Sequence, residues 1–380
     1  MKIILASGDA RQILPMSKAL RKLGAYVTTY NSSRFDFGYT SKYPNKKILA
    51  NADKEDEEET LKAIIKELTE EHYDLIIPMN DDIAILLSKH KSTIEKYVSV
   101  AVNDWDIFKI ASDKLETMRV CMENDIPCPK TALSYEQYLS GKKSFQYPIV
   151  VKPRTGCGAV GFHVAKDEKD LKEYYELAEK KYGKCLIQEY IPQTALQYKA
   201  ELYIDRYGEL KSAVVFAKIR WYPVNGGSST LNQTVDRPDI IESCRKLLDV
   251  IGWRGYADID LIHDPRDNIA KIIEINPRIT GSVKICFKAG VNFAQQIIED
   301  TQGKTVTPML EYEKNVFLRY FQKDVLWFLK SSNRFKSTPN WFNFKNNVDQ
   351  IFDISDPWPF ITSSFESIPK LIKYSKKRHI

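Results

Sequence analysis

Tyr147-Pro148-Ile149-Val150-Val151-Lys152-Pro153-Arg154 reads as a strand ending in basic residues. Thr155-Gly156-Cys157-Gly158-Ala159-Val160-Gly161 follows, then a second β-like run, Phe162–Ala165. This strand–glycine–strand order constrains the fold more than any other feature of the 380-residue chain. Gly156, Gly158 and Gly161 spell Gly-x-Gly-x-x-Gly, but a dinucleotide-binding turn must lead from a strand into a helix whose N-terminus holds a pyrophosphate. Here the helical pattern begins only after Asp167. The segment therefore predicts a hairpin flap whose backbone amides can close over phosphates, since glycine removes side-chain obstruction. An ordinary glycine-rich hairpin satisfies the same residues. A second phosphate-loop candidate, Gly303-Lys304-Thr305, fails because Ile298 stands where the first glycine belongs.

Upstream, the chain alternates β and α. Lys2–Ser7 is a short apolar run, Ala10–Leu23 has helical periodicity ending at Gly24, and Tyr26–Tyr30 is β-rich. The acidic helix Glu55–Glu71, the strand Asp74–Pro78 and a helix through Ile83–His90 follow. Such alternation predicts a parallel sheet covered by helices. Only Gly8 occupies the first strand–helix turn, so the dinucleotide fingerprint is missing there too. Beyond residue 110, Lys114–Asn124 reads as a helix broken by Pro127-Cys128-Pro129. A helix near 168–181 then leads to the strand Cys185–Gln188, and Lys199–Asp205, Ser212–Phe216, Ala257–Ile262 and Ala270–Ile275 are β-rich.

Around the flap stand residues suited to phosphate and metal. Lys152 lies on the entering strand and Lys114 on the upstream helix, and ammonium groups offset phosphate charge. Leu186-Ile187-Gln188-Glu189-Tyr190-Ile191-Pro192 is an apolar strand ending in a polar bend that can offer backbone groups to an adenine edge. Glu274, Asn276 and Arg278 fall on one face of a strand because side chains alternate with period two. With Asp260, Glu274 and Asn276 make two carboxylates and an amide oxygen, hard-oxygen chemistry suited to Mg²⁺ shared with phosphates. Any one of these acids alone reads equally as a salt-bridged surface group.

Taken in order, these segments resemble the ATP-grasp superfamily, and within it the carbamoyl-phosphate-synthase-like, carboxylate–amine ligase group. The resemblance is carried by Ser112-Asp113-Lys114, Val151–Gly161, Gln188–Pro192, Gly252-Trp253-Arg254-Gly255, Asp258-Ile259-Asp260, Glu274-Ile275-Asn276-Pro277-Arg278 and Gly290-Val291-Asn292, and covers about residues 1–305. It implies an α/β (α+β grasp) architecture: a Rossmann-like pre-ATP-grasp domain over 1–110, then an ATP-grasp fold of two subdomains clamping ATP. These are a lid over 111–185 and a C-terminal subdomain over 186–305, with 306–380 as an appended extension. It also implies that Lys114 and Lys152 contact nucleotide phosphates under a lid of Gly156, Gly158 and Gly161. Gln188, Glu189, Tyr190 and Ile191 would form the adenine hinge, Glu189 and Ile191 mostly through backbone. Asp260, Glu274 and Asn276 would hold Mg²⁺, with Mn²⁺ as a substitute. Arg278 would face an acyl phosphate, and Lys218 or Arg220 would add a γ-phosphate contact. The chain departs from the family at the ribose-binding glutamate, where Gln197 stands before Tyr198.

The chemistry implied is ATP-dependent joining of a small carboxylate to an amine through an acyl phosphate. An ATP-grasp carboxylase or carbamoyl-phosphate-type enzyme, and a non-catalytic nucleotide-binding module, are the alternatives. Asn225–Thr230 either lines an acceptor pocket or is a surface loop. Six cysteines without a Cys-x-x-Cys pair, and five histidines without ligand spacing, argue against disulfide or zinc scaffolds and for a cytoplasmic chain. No apolar run reaches the roughly 20 residues that span a bilayer. The net charge of +6 does not by itself imply nucleic acid, and no nucleic-acid partner is expected. All of it lies in residues 301–380, with 13 Lys/Arg against 7 Asp/Glu, where 15 of the 44 aromatics also gather. That tail either helps hold an anionic acceptor, touches an anionic membrane surface through its end at 370–378, or is a packed extension with a solvated basic end. A homodimer is compatible with the resemblance.

Overall fold

The computed structural model describes residues 1–49, 56–156, 161–192, 196–224 and 227–365. The N-terminal unit is a five-stranded parallel sheet in the spatial order Lys46–Leu49, Tyr26–Asn31, Lys2–Ala6, Leu75–Pro78, Ser99–Val100. Ile3–Ala6 and Leu75–Pro78 are buried without alternation, as strands covered on both faces require. The order reverses between Lys2–Ala6 and Leu75–Pro78, so the loops leaving these two strands flank a crevice, the usual ligand position in such sheets. The Asn80 amide ties the two loops by donating to Ser7 Oγ at 2.7 Å. Its oxygen meanwhile caps the helix Asp81–Lys89 by accepting from the Ile83 N–H.

The flap expected from the glycine pattern is present. Ile149–Pro153 pairs antiparallel with His163–Ala165, with Val151 opposite His163. Together with Cys185–Glu189 and Thr131–Ala132 they form a four-stranded sheet. The helix Glu168–Tyr182 starts at Asp167, whose side chain accepts from the Asp170 N–H, and covers this sheet with Leu171 and Ala178.

The third sheet has seven strands, in the order Ile269–Asn276, Gly255–Asp264, Gln197–Ile204, Leu210–Tyr222, Ser228–Thr234, Phe317–Arg319, Asn347–Asp349. One face buries Ala200, Leu202, Val215, Ala257 and Ile259 against the helices Trp105–Ser112, Lys114–Glu123 and Pro238–Val250. Tyr203, Val214, Phe216 and Tyr256 pack on the opposite side with residues of Val283–Lys288 and Phe293–Thr301.

Of the segment beyond 305, the described residues 306–365 contribute two strands to the large sheet. Phe317–Arg319 continues the large sheet by pairing with Leu231–Gln233, and Asn347–Asp349 pairs with it in parallel. The following helix, Phe321–Lys330, is fastened by the buried carboxylate of Asp324. Asp324 takes the Arg220 guanidinium at 3.2 Å, the Arg319 guanidinium at 3.5 Å and the Thr230 hydroxyl at 2.8 Å. The sequence shows abundant aromatics here, but not that two buried arginines and one aspartate lock them to the core. The basic end at 370–378 lies outside the described residues. Removing one partner from a buried ion cluster strands the others, typically at a cost of about 3–5 kcal/mol. Asp324→Ala is therefore expected to lower urea-unfolding stability by that order, while loss of the exposed Glu58–Lys62 pair in Glu58→Ala changes it by less than about 0.5 kcal/mol.

Candidate functional site

The cleft between the flap sheet and the large sheet collects most of the expected residues. Lys114 opens the helix Lys114–Glu123, whose Asp113 cap is gripped by the Arg154 guanidinium, Nε to Oδ2 at 2.8 Å. The Lys114 N–H also donates to the Arg154 carbonyl at 2.9 Å. The helix start is thus fixed to the strand that enters the flap. From there the Lys114 ammonium donates to the Gly156 carbonyl at 2.6 Å and reaches Glu274 at 3.1 Å, spanning the cleft. Lys152 lies beside them on Ile149–Pro153. Burial, with the nearby Lys114 charge adding to it and Glu274 opposing, pulls its ammonium down to about 8. Gly161 closes the flap with φ +73°, where a Cβ would stand 2.7 Å from both the Pro153 ring and Tyr182. Gly158 lies outside the described residues.

Antiparallel register builds the opposite wall. Lys199 faces Asp260 and Asp260 faces Glu274 in one row, while Glu201 faces Asp258 and Asp258 faces Asn276 in the next. Paired residues share a face. Asp260, Glu274 and Asn276 therefore come together as the sequence suggests, with the Asn276 amide donating to Asp260 Oδ2 at 3.0 Å. Asp260 also meets Lys218 at 2.6 Å and Lys199 at 3.3 Å. Burial pushes its carboxyl up, but the two ammonium groups outweigh burial and hold it below the usual carboxylate range. Lys199 bonds Asp258 as well. Lys199 and Glu201 stand outside the sequence expectations, and Asp258 enters them only within Asp258-Ile259-Asp260; the signal for the first two is their alternation, two charges at period two in a largely apolar strand. Glu201 is fully buried, accepting from Ser282 Oγ at 2.6 Å, Thr280 Oγ1 at 3.5 Å and Cys286 Sγ at 3.2 Å. Burial, reinforced by Asp258, pushes its carboxyl up to about 7.

Four expected residues take other positions. Arg220 turns away from Lys218 because Lys218 pairs with Asn232 and Arg220 with Leu231, the next residue along. A bulge at Ile219 thus breaks the period-two rule, sending Arg220 to Asp324, to the Pro339 carbonyl and over the Trp327 ring. Arg278 forms a two-point pair with Asp81 of the N-terminal unit, at 2.7 and 2.6 Å, so it joins the sheets at the crevice rather than standing free. The Gln188 amide is buried, donating to Thr131 Oγ1 at 2.8 Å. The Glu189 N–H donates to the Lys130 carbonyl at 2.8 Å, and its carboxylate pairs with Arg266 at 2.6 Å. Glu189 thus ties the flap sheet to the large sheet, and Tyr190 and Ile191 follow it at the hinge. Gln197 pairs across from Lys218, its oxygen accepting from that ammonium at 3.4 Å.

Residues 111–282 match the family described as the ATP-grasp domain. D-aspartate ligase of Enterococcus faecium is 27% identical over 248 residues, a match spanning 60% of this chain and 58% of that protein. A D-alanine–D-alanine ligase of Francisella tularensis is 26% identical over 206 residues, 51% of this chain and 68% of the relative. In structure, the biotin carboxylase of Campylobacter jejuni superposes with a TM-score of 0.69 at 17% identity, covering 83% of this chain and 74% of that one. No helix among the described residues is long and apolar enough to cross a membrane.

The Glu201 carboxyl, its pKa lifted from an ordinary value near 4.5 to about 7, binds more protons folded than unfolded between those values. Its ionisation cost is absent below pH 4.5, grows through that window and is fully present above pH 7. Replacing it with an amide removes the cost. Glu201→Gln is expected to raise unfolding stability at pH 8 by about 1–3 kcal/mol and to flatten its fall between pH 5 and 7.5, read by denaturant titration across pH.

Proposed function

We propose that the chain is an ATP-dependent carboxylate–amine ligase that forms an amide or peptide bond through an acyl phosphate. The observation carrying this reading is the pairing of two walls: Lys114 and Lys152 beside the flap, facing Asp260, Glu274 and Asn276 on the large sheet, within an ATP-grasp domain. A substrate carboxylate attacks the γ-phosphorus of ATP, the bond to the bridging oxygen breaks, and ADP leaves. An amine then adds to the acyl phosphate, loses a proton and expels phosphate. Both nucleophile and target are anionic in the first step, so the protein's task is positioning and charge neutralisation rather than nucleophilic catalysis.

The divided roles follow from position. Lys114 and Lys152 place positive charge at the mouth of the flap, where the phosphates would lie. Lys218 holds an ammonium over Asp260 and Gln197, within reach of a terminal phosphoryl group and a ribose respectively. The Tyr190–Ile191 backbone takes the adenine. The hard oxygens of Asp260, Glu274 and Asn276 fit Mg²⁺, which when bound would offset phosphate charge. Among the described residues no three acidic, His or Cys side chains form a metal cage on their own, so phosphate oxygens would complete the coordination.

Amine-dependent ADP release, assayed across a panel of carboxylates and amines, tests the reading. Lys152→Ala and Glu274→Ala are each expected to lower kcat/KM by about a hundredfold or more, the scale of a lost charge contact to the transition state. Persistent absence of carboxylate- or amine-dependent ADP from the intact chain would sink it. Lys152 supplies an independent check. Its ammonium, near 8 when unliganded, is half deprotonated at pH 8. Phosphate charge raises it again, so MgADP binding at pH 8 should take up protons, visible as a dependence of calorimetric heat on buffer ionisation enthalpy and absent in Lys152→Arg.

A further inference from the structure

Two cations that the ATP-handling set does not use meet at the ring of Tyr320, one from the first strand–helix loop of the N-terminal sheet and one from the segment beyond 305. Arg11 lies in the first strand–helix loop, and its guanidinium stacks 4.5 Å from the ring centre of Tyr320. Lys323, from the segment beyond 305, stands 5.4 Å from the same ring centre and donates to Ser228 Oγ at 3.3 Å. Arg11 also rests on the segment following Arg278: a Cβ on Gly281 would be 3.5 Å from its Nε and Nη2. The Gln350 amide, again from the extension, donates to the Gly281 carbonyl at 2.7 Å. Gly281 is five residues beyond Asn276, so these groups border the reaction wall.

Neither cation forms an ion pair among the described residues. Acids close by are otherwise engaged. Asp324 is enclosed by Arg220, Arg319 and Thr230. Asp349 accepts from the main-chain N–H groups of Phe321, Ile351 and Phe352. Burial, with Arg11 adding to it, pushes the Lys323 ammonium down. Tyr320 and Lys323 are nonetheless held rigidly, because the Tyr320 N–H donates to the Thr230 carbonyl at 2.8 Å and Asp324 anchors the helix one residue on. Two half-buried cations sharing one ring, fixed in place without a carboxylate, are built to receive one.

We propose that Arg11 and Lys323 bind a second carboxylate of the substrate, one not being activated, so that the ligase acts on a dicarboxylate such as an acidic amino acid. The inference rests on the ligase reading above. It also assigns a role to the segment beyond 305: it completes the substrate pocket, with Lys323 rather than the basic chain end supplying the charge.

The test uses the full chain in MgADP, with aspartate and glutamate as probes against asparagine and glutamine, in both enantiomers, by calorimetry. At least one acid should bind about tenfold or more tightly than its amide, the scale of one charge-assisted hydrogen bond. Lys323→Met and Arg11→Gln should erase that preference and Lys323→Arg retain it, with MgADP affinity unchanged in all three as the check on folding. Binding of MgADP without any preference for acids over amides overturns the inference and leaves the ligase reading standing. A preference that survives Lys323→Met and Arg11→Gln also overturns it. Failure of the wild-type chain to bind MgADP defeats the ligase reading and this inference with it.

Discussion

The register between Gln197–Ile204, Gly255–Asp264 and Ile269–Asn276 is the constraint on which the rest of the site depends. It stacks Lys199, Asp260 and Glu274 in one row and Glu201, Asp258 and Asn276 in the next. A slip of one residue would turn every one of these charges into the apolar layer formed by Ala200, Leu202, Ala257 and Ile259. The apolar alternation that buries one face therefore also enforces the polar geometry of the other. Because Glu201, Asp258 and Asp260 are buried, their charge must be compensated, and Lys199 serves Asp258 and Asp260 together.

Around this wall the other elements act as supports. The Asp113–Arg154 pair fixes the start of the Lys114 helix to the flap strand that carries Lys152. Glu189, with Arg266 and Lys271, sets the hinge against the large sheet. Arg278 with Asp81 fixes the N-terminal crevice over the carboxylate rows. These charge pairs lie at the cleft edge, while the N-terminal and large sheets also share one apolar cluster that includes Leu5, Ile77, Phe216 and Tyr256.

How far the sequence went can be judged residue by residue. Lys114, Lys152, Asp260, Glu274 and Asn276 were legible because their motif spacing and period-two alternation both survive in the folded chain. Arg220 was misplaced for one reason: alternation assumes an uninterrupted strand, and the bulge at Ile219 adds a residue that no composition signal marks. Arg278 and Glu189 were placed in the right neighbourhood, but their partners Asp81 and Arg266 lie 197 and 77 positions away, beyond any local pattern. Lys199 and Glu201 carried a readable alternation of their own, two charges at period two.

By itself the sequence determined the element types, the flap and its distinction from a dinucleotide turn, since these depend on local periodicity and on glycines whose conformational freedom acts within a few residues. It also located the whole charge surplus beyond residue 300. Tertiary structure alone decided what that segment does. It lies outside the stretch that carries the family resemblance, yet the buried Asp324 holds Arg220 and Arg319, and two of its strands are part of the large sheet. Long-range pairing of this kind is fixed by which surfaces can be buried together, and that depends on every element at once. The same packing brings Arg11 and Lys323, 312 positions apart in the chain, to one tyrosine ring.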